Sequence, residues 1–81
     1  MIEVTVMTFG IARSICGERR FALQVPANTT GDGLLFILKE KYPALNALIS
    51  LQLAVNEEYA ASGLVLRQGD EVALIPPVSG G

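Results

Sequence analysis

Histidine is absent from the 81 residues, and cysteine occurs once, as Cys16. Without histidine, no Ser–His or Cys–His nucleophile pair can be assembled from this chain. A lone cysteine excludes an intrachain disulfide, which fits a reducing compartment. Cys16 also has no sequence neighbour that would lower a thiol pKa, so it reads as a small buried apolar residue. Basic charge is sparse: six Lys and Arg against eight Asp and Glu give a net charge of -2, with a pI near 4.9. Only Arg19-Arg20 and Lys39/Lys41 lie close together, and no aromatics are interleaved, which leaves nucleic-acid binding by phosphate neutralisation without support. No basic segment precedes an apolar run at the N-terminus, and no apolar stretch approaches the roughly 20 residues that cross a bilayer. No membrane partner is expected, and the expected location is cytoplasmic.

Apolar residues, by contrast, are plentiful. The length allows one domain, whose stability margin should be thin because a short chain buries a small share of its surface. Yet 51% of the residues are hydrophobic and the mean hydropathy is +0.45. So small a core cannot hide all of that surface, and the exposed remainder is expected to form a partner patch.

Ile2, Val4 and Val6 alternate with Glu3, Thr5 and Met7, the period-two pattern of a strand over residues 2 to 9, with Gly10 ending it. Residues 11 to 16 suit a short helical turn stopped by Gly17, with Glu18 to Arg20 as a turn. Phe21, Leu23 and Val25 form a second alternating strand closed by Pro26. A helix follows: Thr29 or Thr30 caps it, Leu34, Leu35, Leu38 and Tyr42 share one face, and Pro43 ends it. Gly31 and Gly33 weaken its first turn. Phe36 projects opposite the leucine stripe, beside Glu40; cover by a neighbouring loop is expected ahead of a binding role. Ala44 to Ile49 reads as a helical turn or irregular cover. Leu51, Leu53 and Val55 make a third strand, Asn56-Glu57-Glu58 a turn, and Tyr59 to Ala61 a short return strand. Gln68-Gly69-Asp70 is a turn signal, and Glu71 to Ile75 is the last strand. Strands on both sides of one main helix predict an α+β fold, a mixed sheet with the helix across one face, compatible with the ubiquitin-like β-grasp.

The last strand leads directly to the end of the chain. With Val72 and Leu74 under the helix, Ala73 and Ile75 would help form an apolar patch on the open face. Pro76-Pro77 lacks two backbone donors and cannot continue as a central strand. Val78-Ser79-Gly80-Gly81 is then expected to project as a thin flexible arm, with residues 1–77 as the domain and 78–81 as its tail. Terminal glycines suit threading of a carboxylate into a partner's narrow channel, where side chains would obstruct close backbone approach. A bare Gly-Gly end is more often a frayed terminus; the strand and Pro-Pro before it make the signal specific.

Gly69-Asp70-Glu71-Val72-Ala73-Leu74-Ile75-Pro76-Pro77-Val78-Ser79-Gly80-Gly81 resembles the C-terminal signature of the sulfur-carrier small subunits of molybdopterin synthase. The likeness extends upstream through Phe9…Arg13…Gly17, Thr30…Leu34-Leu35…Leu38…Tyr42-Pro43 and Ala54-Val55-Asn56. The resemblance implies a β-grasp fold and a carrier that is not catalytic alone but is the sulfur-donating subunit of a transferase. It implies that an E1-like enzyme uses ATP and Mg to adenylate the Gly81 carboxylate, and that a sulfur donor converts it to a thiocarboxylate. The thiocarboxylate would enter the large synthase subunit of a heterotetramer and give its sulfur to the pterin precursor of the molybdenum or tungsten cofactor. This chain would hold no cofactor or metal itself. By the same resemblance Tyr59, Ile75 and Arg13 would contact partners, and Pro76, Pro77, Val78, Ser79 and Gly80 would insert with Gly81. Two positions depart from the family pattern: Gly33 stands where relatives often carry an acidic residue, and Ser14 where they often carry Glu.

Three alternatives remain open at this point. The carrier could serve thiazole formation or tRNA thiolation, the chain could be a ubiquitin-like modifier joined to lysines through Gly81, or it could be a passive interaction module. An autonomous enzyme fits least. Glu57-Glu58 and Asp70-Glu71 read as solvated turn charges, and Gly31-x-Gly33 lacks the Lys-Ser/Thr of a phosphate loop, so ATP belongs to the partner.

Overall fold

The computed structural model describes residues 1–48, 50–59 and 63–77. Strand β1 (Ile2–Thr8) sends Val4, Val6 and Thr8 into the interior and Glu3, Thr5 and Met7 to the other side. The strand stops at Thr8, and Gly10 already belongs to helix α1 (Gly10–Cys16), so Gly10 opens the helix and does not merely end the strand. Gly17 closes α1 in the left-handed region (φ 79°), its N–H donating to the Arg13 carbonyl; a glycine fits there without Cβ strain. Strand β2 (Arg20–Val25) returns antiparallel to β1 and begins one residue earlier than the alternation suggested.

Helix α2 (Gly31–Lys41) is capped by Thr30, whose side chain accepts the Gly33 N–H at 3.2 Å. Its Leu34 and Leu38 are completely buried, as their four-residue spacing requires. Tyr42, the residue before Pro43, leaves the helical region (φ -127°, ψ 82°), and a 3-10 helix over Pro43–Ala47 then buries Leu45. The rest of the expected 44–49 segment includes Ile49, which lies outside the described residues. Strand β3 (Gln52–Val55) and strand β4 (Glu58–Tyr59) form a hairpin across Asn56 and Glu57, both at positive φ (50° and 74°). Two central residues at positive φ make the tight turn that matches strand twist. Glu58 is therefore already in the return strand; Ala60 and Ala61 of the expected strand lie outside the described residues. Strand β5 (Glu71–Ile75) follows a turn at Gly69 (φ 86°).

The five-stranded sheet has the order β2-β1-β5-β3-β4. Its centre pairs β1 with β5 in parallel, with Val6 beside Val72 and Thr8 beside Leu74, while the flanking pairs are antiparallel. A parallel pair needs a crossover, and α2 lies within it. This is the β-grasp: Val4, Val6, Val25, Val72 and Leu74 from the sheet meet Leu34 and Leu38 from α2, all at 0% exposure. Each such side chain contributes roughly 1.5–3 kcal/mol of burial free energy. Phe36 is a correction, because it is 65% exposed on the outer side of α2. Among the described residues, no helix is long and apolar enough to cross a membrane.

Candidate functional site: the open sheet face and the root of the tail

The side of the sheet away from α2 is set by alternation. Val72 and Leu74 are buried under the helix, so Ala73 and Ile75 take the open face, as their spacing implied. The ladder then places residues side by side: Met7 beside Ala73, Ala73 beside Ala54, and Ala54 beside Tyr59. Residues directly opposite in a ladder share a face, so Met7, Ala73, Ala54 and Tyr59 form one apolar band across four strands. Within it Ala54 is buried, while Met7 and Ala73 are half-buried. Tyr59 stands at its end with 71% of its surface exposed, and Ile75, half-buried, sits beside Gln52 one step closer to the tail. An ion pair from Arg20 Nη2 to Glu71 Oε2 at 2.7 Å borders the band. Both side chains are about half exposed, so the pair orients them more than it stabilises the fold.

The tail begins beside α1. A Cβ on Gly10 would lie 3.4 Å from Pro76 Cγ, so the first turn of α1 abuts the proline that follows β5. Gly10 itself is at φ 54°, where a side chain would be strained. Phe9 and Ile11, on either side of it, are 45% and 52% exposed and extend the apolar surface around the tail root. Neither was singled out as a contact by sequence reasoning. The available signal was a pair of large apolar residues around a glycine at a strand–helix junction. Pro76 and Pro77 are half-buried. Val78, Ser79, Gly80 and Gly81 lie outside the described residues.

Arg13 is brought to the same end of the molecule with an internal task. Its Nη2 donates to the Thr8 carbonyl at 3.0 Å, tying α1 to the end of β1. Thr8, buried, in turn donates its hydroxyl to the Glu18 carbonyl. The buried Nε of Arg13 has no hydrogen-bond partner among the described residues, and Arg13 makes no ion pair among them. Tyr59, Ile75, Pro76 and Pro77 thus share the open face and its margin, with Arg13 behind the tail root.

Other polar groups are engaged in structure. Asp70 accepts from Asn56 Nδ2 at 3.0 Å and from the Arg67 N–H at 2.8 Å, while Asn56 Oδ1 accepts the Glu71 N–H at 3.0 Å. These bonds lock the β3–β4 turn to the start of β5. Cys16 is buried, and burial, then the charge of Glu18, pushes its thiol pKa up. Burial also raises the Tyr42 phenol, with Cys16 and then Glu18 adding to it.

A profile of the ThiS family matches residues 6–81. The chain belongs to the ThiS family. Within this family it is 42% identical over 84 aligned positions to the molybdopterin synthase sulfur carrier subunit of Caenorhabditis briggsae, covering all of both chains. Among solved structures, this ThiS-family chain resembles SAMP1, the small archaeal modifier protein 1 of Haloferax volcanii, with 30% identity, a TM-score of 0.83 and coverage of 98% and 99% of the two chains. It also resembles a chain in the complex of subunits 1 and 2 of the molybdopterin-converting factor from Helicobacter pylori, at 30% identity and a TM-score of 0.68, covering 99% and 100%.

Proposed function

We propose that this chain is the sulfur-carrier subunit of a molybdopterin synthase. The observation that carries the reading is full-length identity of 42% to a relative bearing that name. The β5–Pro-Pro–Gly-Gly order supports it, with an apolar band beside the point where the tail departs. A carboxylate is a poor electrophile until its oxygen becomes a leaving group. In this reading an E1-like partner, using ATP and Mg, joins AMP to the Gly81 carboxylate and releases pyrophosphate. A sulfur donor then displaces AMP to leave a thiocarboxylate, which surrenders its sulfur to the pterin precursor inside the large subunit and returns as a carboxylate. The chain supplies docking and reach, and its partners supply the catalytic groups, so it acts as the sulfur-donating half of a transferase. Residues 1–77 serve as the docking domain and 78–81 as the tail, and Pro76, Pro77, Val78, Ser79 and Gly80 insert with Gly81.

Tyr59, Ile75 and the neighbouring band form the docking surface in this account, and Arg13 lies at its margin. Both partners use that face, so their complexes exclude each other. Cytoplasmic location follows from the same reading. A reconstituted synthase tests it: chain lacking Gly81 should fold normally and yield no dithiolene product, and undiminished product formation would reject the proposal.

A second reading is supported by the likeness to SAMP1. As a modifier, the same adenylate would be attacked by a lysine amine, giving an isopeptide and higher-mass protein adducts. Carriers for thiazole formation or tRNA thiolation share the activation chemistry; the names of the curated relatives favour the molybdopterin branch.

A further inference from the structure

Among the described residues the edge of the sheet formed by β2 is unpaired, and its geometry is self-complementary. We infer that two copies of this chain pair through their β2 strands, antiparallel and centred on Ala22, to form one continuous sheet. The direction of the β2 backbone groups follows from a single hydrogen bond. The Thr8 N–H donates to the Arg19 carbonyl at 2.9 Å, and Thr8–Arg19 continues the register in which Met7 faces Arg20 and Val6 faces Phe21. Antiparallel ladders alternate between bonded and non-bonded pairs. Phe21, Leu23 and Val25 therefore spend their backbone bonds on β1. The N–H and C=O groups of Arg20, Ala22 and Gln24 point away from it, and β2 is the terminal strand on that side of the sheet.

Sheet edges are usually protected by a lysine, a proline, a bulge or brevity. Strand β2 runs six residues in unbroken register with no proline or lysine within it. Its only charge, Arg20, is drawn across the open face to Glu71. At the opposite edge, β4 spans two of the described residues.

Three features select a second copy as the occupant. Centring the pair on Ala22 sets Ala22 against itself and Arg20 against the partner's Gln24, so every outward-facing residue of one copy meets an outward-facing residue of the other. Centring on Phe21 or Leu23 also keeps the faces matched but leaves one of them unpaired; centring on Leu23 also sets Arg20 against Pro26, which has no N–H. On the helix side the Ala22-centred register places Phe21 against the partner's Leu23, both partly buried at the rim of the core. No like charges are opposed, and an arginine faces a glutamine that can accept from it. Lys41, whose ammonium lies 5.9 Å from the Phe21 ring centroid, borders this rim; its flexible stem lets the charge turn to solvent. The apolar band runs from β1 to β4 and the tail departs from β5, so neither is part of the β2 edge that such a dimer would use.

The test is sedimentation equilibrium of the full chain from micromolar to millimolar concentration, with hydrogen exchange followed residue by residue. Mass should rise from 8.6 kDa toward twice that value. The amides of Arg20, Ala22 and Gln24 should become protected as concentration increases, while those of Phe21 and Leu23 stay constant. Ala22→Pro removes the central outward donor without taking a bond from β1, and Ala22→Lys opposes like charges at the centre; each should weaken association by about tenfold or more. Should Ala22→Pro fail to fold, Ala22→Lys and the wild-type exchange pattern still decide. A chain that stays monomeric at millimolar concentration with those amides unprotected would overturn the inference. So would a dimer indifferent to both substitutions.

Discussion

Replacing Ile75 with glutamate separates the docking surface from the fold. Ile75 lies on the open face beside Gln52, mostly buried, with its neighbours Val72 and Leu74 fully inside. Complete burial of an isoleucine is worth roughly 1.5–3 kcal/mol, and most of Ile75 is already buried, so losing those contacts costs the free protein about 1–2 kcal/mol. For a domain of this size that lowers Tm by about 4–8 °C for each kcal/mol and leaves the protein folded at room temperature. Docking is affected much more. The partner would cover the rest of the side chain and strip water from a carboxylate with no opposite charge beside it, a penalty of about 3–5 kcal/mol. The affinity for the large synthase subunit should fall by at least ~100-fold, at about 1.4 kcal/mol per tenfold. Isothermal titration calorimetry measures that loss, and thermal unfolding by circular dichroism measures the stability change on the same sample. Ile75→Val, which keeps the surface apolar, should bind within a few-fold of the parent. Unchanged affinity for Ile75→Glu would refute the placement of this face against the partner, and a loss fully explained by unfolding would refute the division between docking and fold.

Leu34→Ala, at the centre of the helix–sheet core, should destabilise the fold by roughly 2–5 kcal/mol in urea unfolding. Glu57→Gly should stabilise it by about 0.5–1 kcal/mol, because the left-handed conformation at φ 74° strains glutamate more than the added chain entropy of glycine costs. Cys16 and Tyr42 both have folded-state pKa values raised above their unfolded ones. Their contribution is therefore complete below the unfolded values and lost as pH rises through the folded values, so stability should decline from about pH 8.5 upward. Cys16→Ala and Tyr42→Phe should each flatten that decline in urea midpoints measured against pH.

Much of this arrangement is legible in the residues because alternation and helical spacing agree with burial. Val72 and Leu74 against Ala73 and Ile75 assign the faces of β5 from the pattern alone, and Leu34 and Leu38 assign the buried side of α2. Thr30 and Pro43 set the ends of α2 by local chemistry that no tertiary contact overrides. The band from Met7 to Tyr59 was less visible, since it depends on register between strands distant in sequence. Alternation sets Ala54 opposite Leu53 and Val55, but only the register shows that it lies beside Ala73. Phe36 shows the reverse: an apolar residue suggests cover, but the chain carries more hydrophobic surface than one helix and one sheet can bury. The role of Arg13 was hidden for another reason. A carbonyl accepting from a guanidinium leaves no trace in sequence, so Arg13 reads only as a partner contact by resemblance while its Nη2 ties α1 to Thr8. Gly10 reads as a strand stop, and its approach to Pro76 emerges only when β1 and β5 lie parallel.

The central claim is that the Gly81 carboxylate carries sulfur, and intact mass spectrometry tests it most directly. The protein would be incubated with a molybdenum-pathway E1-like enzyme, ATP, Mg and a sulfur donor, alongside a form lacking Gly81. The account predicts a mass gain equal to one oxygen exchanged for sulfur, dependent on ATP and absent from the truncated form. No gain with an enzyme that converts its own known carrier, or the same gain without Gly81, would contradict it.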